Sequence, residues 1–124
     1  MPRAMRRAKR TMHEMSLCES IVQILEDESR RQGFGRVLRV RLEIGQLAGV
    51  EPEAMHFGFE AVTHGTIAEG ATLEIIDLPG AAWCLACSRT VAVTQRFDAC
   101  PHCGGYQLQV TDGEQLRIKD LDVE

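Results

Sequence analysis

Two C-x-x-C pairs constrain this sequence more than any other feature. The four cysteines involved are Cys84, Cys87, Cys100 and Cys103. Pairs with this spacing, separated by twelve residues, are typical of a zinc site made of four thiolates. Gly104 and Gly105 let the chain turn behind the second pair, where backbone N–H groups approach the sulfur atoms. We predict a structural site, because protein ligands fill all four corners and leave no open position for catalysis.

The segment that carries these cysteines, residues 79–110, is predicted to be a separate zinc-binding domain. It has few charged residues and no helical periodicity, and it buries too little apolar surface to fold without a metal. The single histidine of this segment, His102, is predicted to be exposed or to contact the site without binding the metal. Disulfides are the alternative, but they fit poorly with a cytosolic chain. A redox switch that releases zinc and forms a reversible disulfide is a third hypothesis.

Helical periodicity precedes this segment. Apolar residues from Ser16 to Arg31 recur at steps of three and four and predict a helix that starts at Ser16 or Thr11, with Cys18 buried on its apolar face. Gly33 is the predicted stop. A second helix is predicted from Pro52 to Thr63, with Glu51 as its N-cap. His56 and His64, on or just after it, are predicted to be exposed or core-edge histidines.

Three stretches alternate apolar and polar residues and predict strands. They are "RVLRVRLEIG", "TLEIIDL" and the closing "EQLRIKDLDVE". The last has too little apolar content to stand alone, so we expect it to rejoin the sheet of the first lobe. The predicted fold class is α+β, with two helices on a three-stranded mixed sheet over residues 12–78 plus 111–124. The zinc-ribbon lobe, residues 79–110, is an insertion into it.

Composition excludes several functions. The longest apolar runs are far too short for a membrane span, and no secretory signal is recognisable, so we expect a cytoplasmic protein without a membrane partner. Outside residues 1–11, nine Lys and Arg residues stand against 18 Asp and Glu residues. This acidic balance argues against a nucleic-acid surface. No motif of a nucleotide-binding, hydrolase or metalloprotease site occurs. The sequence therefore favours a binding or carrier protein over an enzyme.

The first eleven residues differ from the rest. They carry five basic residues and no acidic one, and they precede the tripeptide Met12-His13-Glu14. We predict that residues 1–11 are a disordered basic leader or follow a mis-assigned start, so that Met12 is the working N-terminus. By itself, a histidine such as His13 ahead of a helix is usually only solvated.

The whole pattern resembles the HypA/HybF family of hydrogenase-maturation nickel chaperones. The similar stretches are "MHEMSLCESIV", "RLEIGQLAGVEPEAMHFGFEAVTHGTIAEGATLEI", "CLAC…CPHC" and "LRIKDLDVE", over about residues 12–124. The resemblance implies that the first lobe binds Ni(II) through Met12, His13 and Glu14 as transient cargo. It also implies that Zn(II) is structural and is bound by Cys84, Cys87, Cys100 and Cys103. The implied partners are a HypB-type GTPase and the large subunit of [NiFe]-hydrogenase, and in some bacteria urease.

The chemistry of the tripeptide agrees with this implied role. Ni²⁺ favours tetragonal or square-planar nitrogen donors, which a terminal amine, the following amides and an imidazole supply. Glu14 could orient the His13 ring by a hydrogen bond. If the chain begins at Met1, residue 12 contributes an amide rather than an amine, and we expect weaker nickel binding. The alternative function is a zinc-ribbon protein–protein adaptor without an exchangeable metal. We expect a monomer or weak homodimer.

Overall fold

The computed structural model describes the backbone of residues 3–124 and the side chains of residues 13–124. Over this range, the helices are α1 (Arg3–Gln32) and α2 (Pro52–Val62). The strands are β1 (Val37–Gly45), β2 (Thr72–Leu78), β3 (Gly80–Cys84), β4 (Arg89–Val93), β5 (Leu108–Asp112) and β6 (Leu116–Val123). Within the described residues, no helix combines the length and apolar character that a membrane crossing requires.

The backbone divides into two compact units. The helical unit comprises the described part of Met1–Arg41 together with Val50–Glu74 and Lys119–Glu124. The cysteine unit comprises Leu42–Gly49 and Ile75–Ile118. The cysteine unit thus contains a short segment, 42–49, that lies far from the cysteines in sequence.

Helix α1 begins earlier than predicted. It starts at Arg3, so Ser16 and Thr11 both lie inside the helix and neither is its N-cap. The residues before Thr11 are mostly Arg, Ala, Lys and Met, which are strong helix formers and extend the helix towards the N-terminus. The end is as predicted: Gly33 adopts φ +80° and donates its N–H to the Ser29 carbonyl oxygen at 2.8 Å. That the working chain starts at Met12 stays a prediction, and the side chains of residues 1–12 lie outside the described residues.

The two helices pack closely at one point of the helical unit. Cys18 is 1 % exposed, and its Sγ donates to the carbonyl oxygen of Met55 at 3.4 Å. Gly58 makes the close approach possible, because a Cβ at this position would lie 3.2 Å from the sulfur atoms of both Cys18 and Met15. The prediction that Cys18 is a buried thiol is therefore confirmed. The predicted N-cap of α2, Glu51, is also confirmed, although its own side chain makes no capping bond.

The first sheet has the strand order β2-β1-β6. At the ends of β1, backbone bonds join Gly45 to Gln115 and Arg36 to Glu124, so β1 and β6 are antiparallel. The N–H groups of Val37 and Gln46 donate to the carbonyl oxygens of Ile67 and Leu78, respectively, so β1 and β2 are parallel. Helix α2 is the crossover between them. The predicted α+β fold and mixed sheet, with the last strand returning to it, are confirmed.

A second sheet, with the order β4-β3-β5, belongs to the cysteine unit. Strand β3 pairs antiparallel with β4, from Gly80 opposite Val93 to Cys84 opposite Arg89, and antiparallel with β5 on its other side. Two glycines allow the chain to close tightly here: a Cβ on Gly113, which has φ +100°, would lie 2.6 Å from the Cα of Gly80. This small sheet positions the first cysteine pair at the end of β3.

Candidate metal sites

The structure brings together the four cysteines of the two C-x-x-C pairs. All four Sγ atoms lie within 4.8 Å of one another. The separation is 3.8 Å between Cys84 and Cys103 and 4.0 Å between Cys87 and Cys100. A tetrahedral site with Zn–S bonds of about 2.3 Å requires sulfur atoms about 3.8 Å apart. The donor set and its spacing therefore fit a zinc ion.

The two cysteine pairs share one backbone conformation. In the first pair, Ser88 donates its N–H to the carbonyl oxygen of Cys84 at 2.8 Å and has φ +52°. In the second, Gly104 donates to the carbonyl oxygen of Cys100 at 2.9 Å and has φ +72°. Each left-handed residue turns the chain back after a C-x-x-C pair. The first turn uses a serine, which the sequence pattern did not single out.

Backbone N–H groups point at the sulfur atoms. The N–H groups of Cys87, His102 and Gly105 lie 3.4 Å from the Sγ atoms of Cys84, Cys100 and Cys103, respectively. Such donors stabilise negative charge on sulfur, which a metal-binding thiolate requires. The predicted approach of a backbone N–H group to a sulfur atom behind the second cysteine pair is present at Gly105. His102 contributes only its backbone N–H to the site, and the residue is exposed.

The environment favours charge on some sulfur atoms over others. The backbone N–H of Cys103, followed by that of His102, lowers the pKa of Cys100 to about 7. The hydrogen bond from Cys103, together with burial, raises the pKa of Cys87. Of these two sulfur atoms, that of Cys100 therefore carries a negative charge more readily near neutral pH.

An apolar cluster supports the cysteines from within their own unit. Its buried members are Leu47, Ala82, Cys84, Val91, Val93 and Cys100. Leu47 is 2 % exposed and lies between the first predicted strand and the predicted second helix, where the sequence predicted neither a strand nor a helix. Its carbonyl oxygen accepts a bond from Arg96 Nε at 3.1 Å. The sequence around Leu47 also contains Ala48 and Val50 and has no periodic pattern that singles out Leu47 for this role.

The predicted nickel residues lie near the start of α2. His13 is exposed, whereas Glu14 is fully buried. One carboxylate oxygen of Glu14, Oε2, accepts the N–H of Glu51 at 2.9 Å and lies 3.9 Å from His13 Nδ1. The other, Oε1, has no hydrogen-bond partner among the described residues. The side chain of Met12 lies outside the described residues.

Glu14 provides the cap that α2 lacks. Its carboxylate lies at the N-terminus of that helix, where unpaired N–H groups and the helix dipole favour negative charge. Sequence reasoning missed this link between Glu14 and Glu51. The sequence held only a weak signal of it. The N-cap position is occupied by glutamate, which is not among the favoured capping residues, so another side chain could take that role. The arrangement holds an anchored carboxylate beside an accessible imidazole, and an imidazole of this kind can bind a divalent transition metal.

Comparisons with known proteins agree with these features. A model of the family described as "Hydrogenase/urease nickel incorporation, metallochaperone, hypA" matches residues 12–123. A protein named hydrogenase maturation factor HypA from Alkalilimnicola ehrlichii is 65% identical over 113 residues, which cover 91% of this chain and 100% of that protein. A protein of the same name from Azotobacter chroococcum mcd 1 is 61% identical over the same shares of the two chains.

Solved structures share the fold. The solution structure of the Ni metallochaperone HypA from Helicobacter pylori is similar with a TM-score of 0.63 and 20% identity, over 89% of this chain and 96% of that one. A second solution structure of a HypA protein gives a TM-score of 0.66 and 22% identity, over 91% and 97%. Given the family match and these relatives, the chain belongs to the HypA family of nickel-incorporation metallochaperones.

Proposed function

We propose that this chain carries Ni²⁺ and delivers it for insertion into the large subunit of [NiFe]-hydrogenase. The observation that carries the proposal is the pairing of an exposed His13 imidazole with a buried Glu14 carboxylate anchored to α2. Met12, His13 and Glu14 are the proposed nickel residues. The imidazole is accessible to a metal ion and to a partner that removes it, and a carrier requires both.

Glu14 acts in this proposal by holding the start of the site in place. Because Oε2 accepts the Glu51 N–H, the carboxylate is held in a buried position, 3.9 Å from Nδ1 of the neighbouring His13. The unpaired Oε1 retains a lone pair for a hydrogen bond or for the metal ion. Nickel would meet the imidazole before the carboxylate, since the side chain of His13 is exposed and that of Glu14 is buried.

The zinc site is proposed to be structural. Cys84, Cys87, Cys100 and Cys103 would hold Zn²⁺, and the bound ion would supply a cross-link that a small lobe needs for stability. The sulfur separations and the three N–H donors support this assignment. We propose residues 79–110 as the zinc-binding domain and residues 12–78 plus 111–124 as the nickel-binding domain.

The partners proposed follow from the family. A protein of this kind would act in the cytoplasm with a HypB-type GTPase and the hydrogenase large subunit, as a monomer or weak homodimer. Urease is a second proposed recipient, since the family is one of nickel incorporation into hydrogenase and urease. The proposed role is metal transfer and involves no catalysed reaction.

Removal of the His13 imidazole tests the nickel proposal. We expect His13→Ala to abolish tight nickel binding, measured by isothermal titration calorimetry, while zinc content measured by mass spectrometry stays unchanged. His102→Gln is the matched control, because it removes an exposed imidazole that the proposal does not use. Unchanged nickel affinity in His13→Ala would exclude this site. If the unaltered chain takes up no nickel at all, the zinc-ribbon adaptor becomes the better description.

A further inference from the structure

A small cleft in the cysteine unit has no role in the proposed function. It has a volume of about 180 Å³, and its lining comes from all three strands of the second sheet and from the loop after β4. Its apolar and aromatic lining residues are Ala82, Val93, Phe97, Tyr106, Leu108 and Val110. We call it the aromatic cleft. Its volume is below the roughly 300–1,000 Å³ of a small-molecule pocket and suits a single large apolar side chain.

Phe97 holds a conformation that a phenylalanine rarely adopts. It has φ +68° and is the third residue of a turn, which the N–H of Asp98 closes on the carbonyl oxygen of Gln95 at 3.3 Å. Glycine or asparagine is usual at such a position, because a Cβ is strained there. Phe97 is also 94 % exposed, so its ring gains little from burial. Strain and exposure both cost stability, and residues that combine them are typical of binding sites.

The turn that carries Phe97 is held by the side chain of Asp98. Its Oδ2 atom accepts the N–H groups of Thr94 at 3.1 Å and Gln95 at 3.0 Å, and also the Thr94 hydroxyl at 3.2 Å. The N–H of Thr94, followed by that of Gln95, lowers the pKa of Asp98, so its carboxylate is charged at neutral pH. Because the turn is ordered in this way, a partner can contact the Phe97 ring without first ordering the loop.

The charges at the cleft leave one carboxylate for a partner. Arg96 lines the cleft, but its guanidinium donates to the carbonyl oxygen of Leu47 at 3.1 Å and forms an ion pair with Glu114. Asp98 also lines the cleft, and all of its hydrogen bonds among the described residues use Oδ2. Its Oδ1 is therefore available to a cation. A positive charge beside an apolar side chain would complement this arrangement.

Strand β5 offers a backbone edge next to the cleft. It ends the order β4-β3-β5, so over the described residues it pairs on one side only. Four of its five residues are exposed, and its sequence contains neither lysine nor proline, which commonly protect an edge strand. Leu108 and Val110 of this strand line the cleft. A strand that pairs with this edge would place alternate side chains beside Val110, within reach of the cleft.

We propose that the aromatic cleft binds an extended segment of a partner protein, in which a large apolar side chain stands next to a lysine or arginine. The segment pairs with β5 through its backbone. Its apolar side chain enters the cleft against Phe97 and Tyr106, and its cation lies beside Asp98. The surface uses neither His13 nor the cysteine sulfur atoms. It adds a partner-binding site to the proposed carrier function and does not depend on nickel.

Selection from a library of short random peptides by the full-length chain tests this site. We expect enriched peptides to share a large apolar residue beside a lysine or arginine. Phe97→Gly removes the ring and suits φ +68°, so its thermal midpoint should equal or exceed that of the parent, while affinity for an enriched peptide falls about tenfold or more. Phe57→Ala is the matched control, since it removes an exposed aromatic ring from the helical unit. Absence of enrichment, or equal affinity of Phe97→Gly and the parent, would overturn the proposal.

Two further measurements test the charge and the backbone pairing. Asp98→Asn keeps an acceptor for the turn but removes the charge, so we expect the bias towards lysine and arginine to disappear from the enriched peptides. Bound peptide should also slow hydrogen exchange at those β5 amides that do not pair with β3. A bias that persists in Asp98→Asn, or unchanged exchange in β5, would contradict the geometry.

A second copy of this chain is the other candidate occupant of the cleft. Sedimentation of the parent and Phe97→Gly distinguishes it, because a dimer that only the parent forms would show that the cleft joins two copies and would overturn the proposal. We expect the same mass for both proteins. Nickel affinity and zinc content should not change in Phe97→Gly, so this proposal and the nickel proposal fail separately.

Discussion

The two candidate metal sites differ in how completely the protein surrounds the metal. In the cysteine unit, four sulfur atoms lie within 4.8 Å of one another, and backbone N–H groups point at three of them. Near the start of α2, the described side chains provide one exposed imidazole and one buried carboxylate. A closed set of thiolates retains its ion, whereas a partial set of donors can release it. This difference agrees with the proposed roles of the two sites, a metal that stabilises the cysteine unit and a metal that is carried as cargo.

The largest expected effect is the loss of one buried sulfur ligand. Cys84 is fully buried in the apolar cluster, so Cys84→Ser should prevent zinc binding and unfold the cysteine unit, because structural zinc contributes on the order of 10 kcal/mol to folding in small domains. Zinc content and near-ultraviolet circular dichroism measure the two effects. Cys18→Ser is the matched control, since that thiol lies outside the cluster. Native zinc content in Cys84→Ser would show that the site is not a closed four-thiolate site.

The next effect concerns the donor at residue 12. A chain that begins at Met12 presents an amine there, whereas the 124-residue chain presents an amide whose proton must be lost before it binds nickel. We expect roughly tenfold or greater tightening of nickel binding in the shorter form and a weaker dependence of affinity on pH. Calorimetry on both forms over a pH series measures this. Equal nickel affinities of the two forms would show that the N-terminal amine is not a nickel ligand.

Two substitutions of Glu14 distinguish a role in holding the start of α2 from direct binding of the metal. Glu14→Ala leaves the Glu51 N–H without its acceptor, so we expect the free energy of unfolding to fall by about 1–3 kcal/mol. Glu14→Gln retains an acceptor oxygen and should lose less stability. Chemical denaturation measures both, and nickel titration on the same samples shows whether affinity follows stability. If Glu14→Gln is as stable as the parent chain but loses nickel affinity, the carboxylate charge acts on the metal directly.

The same contrast explains what could be predicted from sequence. The cysteine cluster was predictable because zinc geometry restricts spacing along the chain, and C-x-x-C pairs record that restriction locally. The sheet was predictable because alternation marks each strand. The contact between Glu14 and the Glu51 N–H was not predictable, because it joins residues far apart in the chain and leaves no periodic pattern. Leu47 was missed for the same reason. The predicted start of α1 was wrong because capping motifs also occur inside helices, where the carbonyl oxygens of the preceding turn already accept the N–H groups.

The smallest effect tests the packing between the two helices at Cys18. Burial, followed by the nearby charges of Glu14 and Glu19, raises the pKa of this thiol from 9.0 to about 11. The folded chain therefore holds this proton more tightly than the unfolded chain does, and the resulting stability is complete below pH 9.0 and is lost as the pH rises towards about 11. Cys18→Ala should lose less stability than the parent chain across this window, as measured by urea denaturation. Identical pH dependence in the two proteins would mean that Cys18 ionises as readily in the folded helix pair as in the unfolded chain.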